Sequence, residues 1–392
     1  MKKMLAAAFG LLLAFTLTAC STSGGGSTPT TSGSDTGSST STATTNDRPK
    51  GPGNTIYVMG PTPDHGWTAQ AGAYAQQKVD AINAAGQFKA QYMAASSGDA
   101  QNDLVNTIIA NGDAAGVVFM ALDDSAKSGQ EALISAGIPF ISFDRIITGP
   151  DASAILNYSG DNWAVGAGIA YWLQKNGMKP GATMVTLIGD NGTVSQRRQQ
   201  GFEEFLLGKR TYQDQATGQT YTTTETWTQD QIDTLTANYK VVCNWSPDTG
   251  SQYLEQSLPD IVKSPTDGNL YIFSMDDGMT LGFLNLLQGN ALDSGTKQAL
   301  QNLNVYTSAV GGMQQLYDIM MAKDATLSPV SDQYFDGLMS MSFTPKMMQS
   351  AIDYMVTYLN GGDWTFKPGD GAYEPTFIVD KTNAAQYPGF AG

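Results

Sequence analysis

Short apolar runs alternate with longer amphipathic stretches along most of this chain. Runs at 55–59, 88–94, 116–122, 139–143, 154–158, 183–189, 239–245, 269–275, 304–309 and 337–343 are rich in β-branched, aromatic and other apolar residues and predict strands. Helical periodicity fills most of the gaps, at 66–85, 99–111, 124–136, 163–176, 196–207, 249–263, 277–288, 312–322 and 345–360. Asp99, Asp124 and Asp161 stand where helix N-caps are expected, and Gly137, Gly177 and Gly361 stand where helices should end. Nearly continuous apolar strands separated by helices predict an α/β fold of doubly wound parallel sheets, each covered by helices on both faces. The strand count and a body of about 340 residues favour two such sheets over one.

Two regions leave this rhythm. Residues 208–238 are polar and Thr-rich and read as a surface insertion, with a hairpin around Gly218. Residues 21–50 contain 22 Ser, Thr or Gly among 30, and Ala43 is their only apolar side chain. Such a segment cannot bury a core, so a flexible tether is expected over 21–53.

The first twenty residues read differently again. Lys2 and Lys3 precede an apolar stretch, 4–18, that is too short for an ordinary membrane span, and the segment closes on Leu17-Thr18-Ala19-Cys20. This resembles the lipobox of bacterial lipoproteins. The resemblance implies a signal peptide over 1–20, lipidation of Cys20 and a body held by its lipid anchor on the outer side of the cell membrane.

Composition narrows the function. The net charge of −15 argues against nucleic acid, which needs a basic face. With Cys20 assigned to lipidation, Cys243 has no disulfide partner and reads as a small buried hydrophobe. A single histidine, His65, leaves no set of ligands for zinc, so no metal and no cofactor is expected. The usual histidine-dependent triads are nearly excluded, and the chain lacks both a G-x-S-x-G elbow and a P-loop. Asp144 and Asp276 as a glycosidase pair is the enzyme alternative.

In open α/β sheets, ligands sit at the carboxyl ends of the strands. The residues that follow the predicted strands here are Asp64 and Trp67, Asp144-Arg145, Asp161-Asn162, Asp190-Asn191 with Arg197-Arg198, Trp245, and Asp276-Asp277. Indoles suit the apolar faces of a sugar ring, carboxylates accept from its hydroxyls, and arginine donates in a planar fork. Any one of these is weak, since an Asp there also caps helices and a Trp there also fills cores. Their coincidence at several strand ends favours a polyol site.

Several stretches carry a further resemblance: "DHGW" from Asp64, "GIPFISFDR" (137–145), "SGDNWAVG" (159–166), "RQQGF" (198–202), "VCNWSPDTG" (242–250) and "FSMDDGMTLGF" (273–283). They resemble the ribose/galactose-binding class of periplasmic proteins and lipoproteins, which serve ATP-driven importers and share their fold with the lactose-repressor core. The resemblance covers about 54–380 outside the insertion. It implies two lobes joined by a three-strand hinge, with crossings near 160, 342 and 375. Lobe one would be 54–160 plus 343–375, and lobe two 161–342 plus 376–392.

Carried over by position, the resemblance implies ligand contacts at Asp64, Trp67, Asp144, Arg145, Arg198, Trp245 and Asp276, with Trp67 and Trp245 as the two stacking walls. Asp161-Asn162 would mark the first hinge crossing, and Asp277 would cap the helix after it. A sugar, a pyranose by the two indole walls, would be delivered by a monomer to the membrane permease of an ABC importer. Alternatives are a sensory role feeding a chemoreceptor or sensor kinase, and a non-sugar ligand such as a nucleoside. Two positions depart from the family pattern: Val310 and Phe343 stand where many relatives carry polar residues, which leaves the identity of the ligand open. The calcium loop of some relatives has no counterpart here.

Overall fold

The computed structural model describes residues 48–63 and 66–391. In chain order the elements begin β1 (Thr55–Pro61), α1 (Gly66–Ala85), β2 (Lys89–Ala95), α2 (Gly98–Asn111), β3 (Ala114–Met120), α3 (Lys127–Ser135), β4 (Phe140–Phe143) and β5 (Leu156–Gly160). They continue with α4 (Asn162–Lys175), β6 (Thr183–Ile188), α5 (Thr193–Leu206), β7 (Tyr212–Gln213), β8 (Thr220–Tyr221), α6 (Gln229–Ala237), β9 (Lys240–Val242) and α7 (Pro247–Ile261). Then come β10 (Asn269–Ser274), α8 (Asp277–Gln288), α9 (Ser294–Gln301), β11 (Asn304–Gly311), α10 (Gln314–Met320), α11 (Ser328–Tyr334), β12 (Gly337–Ser342), α12 (Met347–Leu359), β13 (Gly371–Glu374) and β14 (Ile378–Asp380).

The strands form two six-stranded sheets, as the alternating pattern predicts. The first has the order β13-β5-β4-β3-β1-β2 and is parallel throughout. The second has the order β14-β12-β11-β10-β6-β9, parallel except where β14 runs against β12. β1 and β3 are buried at every position, which is why their sequences read as unbroken apolar runs. Among the described residues the chain passes between the sheets after Gly160, after Ser342 and after Glu374. Helix α12 returns to pack on α1 and β3 of the first sheet.

Several expectations are corrected. Ser97, not Asp99, caps α2, and Asp123, not Asp124, caps the 3-10 turn ahead of α3 by accepting from Ser125 N. Asp161 does cap α4. Asp276 caps α8 by accepting from Gly278 N, so Asp277 is freed for another task described below. The tether expected to run to residue 53 is held from Arg48: its guanidinium donates to Tyr358 O and to Gly362 O at 2.6 Å. Gly51 N and Gly53 N then donate to Ala115 O and Ala114 O.

The 208–238 segment is more than a surface excursion. Its hairpin, β7 with β8, turns through Gly218 at φ +71°, and Asp214 accepts from Ala216 N and Thr217 N within the turn. Tyr212, Trp227, Ile232 and Leu235 are all buried, and Tyr221 stacks on Tyr171 of α4 at 4.0 Å between ring centroids. Asp214 also accepts from Ile378 N, tying the hairpin to β14. The apolar residues are too widely spaced among threonines for this role to show in the pattern.

Candidate functional site

A cavity of about 500 Å³ opens where the carboxyl ends of the two sheets face each other. The first sheet contributes Pro61 at the end of β1 and Trp67 beyond it, Met120 at the end of β3 and Ala121 to Asp123 beyond it, and Asp144 and Arg145 after β4. The second contributes Asp190 to Gly192 after β6, Arg198 from α5, Asn244 and Trp245 after β9, Asp276 after β10, and Val310 and Gly311 at the end of β11. Phe343, just past β12, closes the wall at one of the crossings. Six of the seven sequence-derived contacts are thus brought together: Trp67, Asp144, Arg145, Arg198, Trp245 and Asp276. The seventh, Asp64, lies outside the described residues, as do His65 and Cys20. Both departures from the family pattern, Val310 and Phe343, face the same cavity.

Helix packing sets Arg198 in place. Gly166 of α4 and Gly201 of α5 let the two helices touch: a Cβ on Gly166 would stand 1.9 Å from Arg198 O, and one on Gly201 2.0 Å from Trp163 O. At that separation Arg198 Nε donates to Asn162 Oδ1 at 2.9 Å, and Nη1 donates to Met275 O. Burial is the main influence on this guanidinium and pushes its pKa down to about 10, while Asp144, Asp276, Asp190 and Asp277 pull the other way. It therefore stays charged at neutral pH. Asp144 from one sheet and Asp276 from the other share it as a neighbour. Arg197 turns outward instead and lies over the Trp163 ring, with its guanidinium carbon 4.5 Å from the centroid.

The two indoles differ in setting. Trp67 retains only 7% exposure; it belongs to the hydrophobic core as well as to the cavity wall. Trp245 is half-buried and packs its face near the Arg198 guanidinium. The strand expected over 239–245 ends at Val242, and Trp245 sits on the turn beyond it. Asp144 (φ 61°), Asn244 (φ 50°) and Trp245 (φ 60°) all adopt left-handed backbone, a conformation that is costly for a side chain as bulky as Trp. Three such residues on one cavity mark a place where aim is favoured over local comfort.

Asp190, which the sequence shows only as one acid after a strand, is the group that sequence reasoning underweights. It pairs with Arg145 at 2.7 Å, joining the ends of β4 and β6, and it accepts from Trp245 Nε1 at 3.1 Å. Burial works against its charge, but Arg145 and the N–H groups of Gly192 and Trp245 outweigh it and hold the carboxyl below the usual carboxylate range. Asp277, buried and just behind Asp276, accepts from Gly312 N, Met313 N and Ser340 Oγ, fastening α8 to the loop after β11. Cys243 is buried, and burial first, then Asp276, push its thiol up to about 12; it is an inert packing residue. Among the described residues no group of three His, Cys, Asp or Glu side chains is placed to hold a metal ion, and no helix is long and apolar enough to cross a membrane.

This arrangement can bind a small, neutral, hydroxyl-rich ring: indole and Phe surfaces for its apolar faces, and fixed charged donors and acceptors for its hydroxyls. Residues 56–363 match the periplasmic binding protein domain family, and the chain belongs to that family. It is thus an extracytoplasmic solute-binding protein and not an enzyme. Crystal structures with the same fold include a galactofuranose binding protein, 17% identical, covering 85% of this chain and 96% of its own, with a TM-score of 0.61. Another is the periplasmic component of the arabinose ABC transporter of Shewanella, bound to α- and β-L-arabinofuranose, 16% identical, covering 85% and 93%, at 0.61. A third is the Caulobacter myo-inositol binding protein, 16% identical, covering 85% and 95%, at 0.60. A search of curated proteins found no match to this sequence.

Proposed function

We propose that this periplasmic binding protein captures a neutral monosaccharide in the cavity between its two sheets and delivers it to an ABC importer. The observation that carries the reading is the convergence on one cavity of two indoles, two buried guanidiniums and four carboxylates, all from strand ends or the helices that follow them. Asp144 and Asp276 approach from opposite sheets, so a sugar that reaches both must hold the sheets together. The two sheets with their helices act as lobes, with lobe one over 54–160 plus 343–375, and the ligand shifts an open–closed equilibrium toward closure. Cys20 carries the lipid that keeps the body at the membrane, and the protein works as a monomer.

The two indole walls support a pyranose. A furanose is the second reading, because the solved neighbours of this fold include proteins for galactofuranose and arabinofuranose. A thermal-shift titration of the mature chain against D-glucose, D-galactose, D-xylose, L-arabinose, D-ribose and myo-inositol tests the proposal. One of these at micromolar concentration should raise Tm, since a ligand that binds only the native state must stabilise it. No response to any of them would refute the sugar reading and turn attention to nucleosides.

A further inference from the structure

The Asp190 carboxylate uses all of its acceptor capacity inside the protein. Oδ1 accepts from Gly192 N at 2.9 Å and from Ser195 Oγ at 3.1 Å, while Oδ2 accepts from Arg145 Nη2 at 2.7 Å and from Trp245 Nε1 at 3.1 Å. A carboxylate offers about four lone-pair sites, so none remains for a ligand hydroxyl. Asp190 lines the cavity yet has nothing left to give a sugar.

Its partners are the opposite case. Arg145 is 94% buried, and among the described residues its Nε and Nη1 have no hydrogen-bond partner. Buried guanidinium donors left unmade are costly, and both atoms are closed to solvent here, so they are satisfied only by an acceptor that enters as the cavity wall opens. The salt bridge orients them, because Nη2 is committed to Asp190. Gly192 makes the approach possible: a Cβ there would stand 2.0 Å from Arg145 Nη1. Its backbone, at φ −82° and ψ 179°, is open to any residue, so the glycine is needed for space and not for conformation.

We propose that Asp190 is a positioning residue that joins Arg145 of one lobe to the Trp245 wall of the other, so that both are aimed before a sugar arrives. Part of the closure is thereby made by the protein itself. The sugar meets a preassembled Arg145–Asp190–Trp245 unit and does not have to order each side chain separately. The inference rests on the sugar-binding reading for its effect on affinity, but not for its effect on the shape of the unliganded protein.

Two variants of the mature full chain test it. Asp190→Asn removes the charge with little change of shape. Gly192→Ala keeps Asp190 and acts mainly on the guanidinium, its methyl meeting Arg145 Nη1 at 2.0 Å and Asp190 Oδ1 at 3.2 Å. Small-angle scattering without sugar should show a larger radius of gyration in both variants than in the wild type, with red-shifted tryptophan emission. With whichever sugar of the six-member panel the wild type binds, Kd should rise by roughly tenfold in both variants, from the lost aim of one charged donor set. If the wild type binds the sugar and both variants match it in Kd and in unliganded size, the positioning role is refuted while the binding reading stands. If the wild type binds no sugar of the six-member panel yet both variants expand, the bridge is upheld and the sugar reading falls.

Discussion

The indole N–H of Trp67, at the start of α1, donates to the carbonyl oxygen of Phe343 at 2.7 Å, and the two rings lie 5.8 Å apart, tilted by 47°. Phe343 is the first residue after β12, where the chain leaves the second sheet. The ring that faces the cavity is therefore fastened to a crossing between the sheets. Trp67→Ala should lower unfolding stability by about 3–5 kcal/mol, as for other buried large-to-small changes. Trp67→Phe keeps most of the ring but orphans a buried carbonyl, at about 1 kcal/mol. Chemical denaturation monitored by circular dichroism separates the two; equal, small losses would show that the ring is not part of the core.

Trp245 should behave in the opposite way. Its left-handed backbone is relieved by glycine, so Trp245→Gly should change stability by no more than about 1 kcal/mol. Sugar affinity should nonetheless fall by about 1–3 kcal/mol with the loss of an apolar wall. Paired calorimetric titration and thermal unfolding check this, and a variant that loses stability but not affinity would overturn the assignment of Trp245 as a wall.

Asp277 gives a pH signature. Burial, partly opposed by the N–H of Met313, Ser340 Oγ and the N–H of Gly312, raises its pKa from 3.8 to about 7. A carboxyl whose folded pKa lies above its unfolded value contributes stability that is fully present below about pH 4 and lost as pH rises through about 7. Wild-type Tm should therefore carry a component that declines between about pH 4 and 7. Asp277→Asn, isosteric and uncharged, should remove that component. An unchanged pH slope in the variant would show that Asp277 is ionised throughout this range.

Gly201→Ala tests the route from packing to site. The new methyl would meet Trp163 backbone, which cannot yield, so α5 must shift from α4. Overpacking of this kind costs about 1–3 kcal/mol. Affinity should fall as well, because Arg198 sits one turn before Gly201 and reaches Asn162 only at the native separation. A stable variant with full affinity would mean that Arg198 is not positioned by this contact.

Much of this was legible in the sequence because it depended on local pattern. Buried parallel strands must be apolar on both faces, and the residues that follow them must reach the cavity, so Trp67, Asp144, Arg145, Arg198, Trp245 and Asp276 could all be found by reading past each strand end. What could not be read depended on tertiary choice. Either of two adjacent acids could cap α8; burial gave the cap to Asp276 and sent Asp277 inward. The strand ending at Val242 rather than Trp245 reflects two left-handed residues, Asn244, whose type favours that backbone, and Trp245, whose type gives no hint of it. Short polar helices such as α6, α9 and α11 hold few apolar residues, and packing rather than periodicity reveals them. Asp190 shows its role only through a partner 45 residues away in sequence.

The central claim is that one ligand is held from both sheets at once. Isothermal titration of the sugar that stabilises the wild type, into Asp144→Ala and Asp276→Ala, tests it most directly. The account predicts that each single variant loses affinity by roughly tenfold or more, since each removes a charged acceptor on an opposite side of the cleft. Full affinity in either variant would place the ligand on one sheet alone and contradict binding between the two.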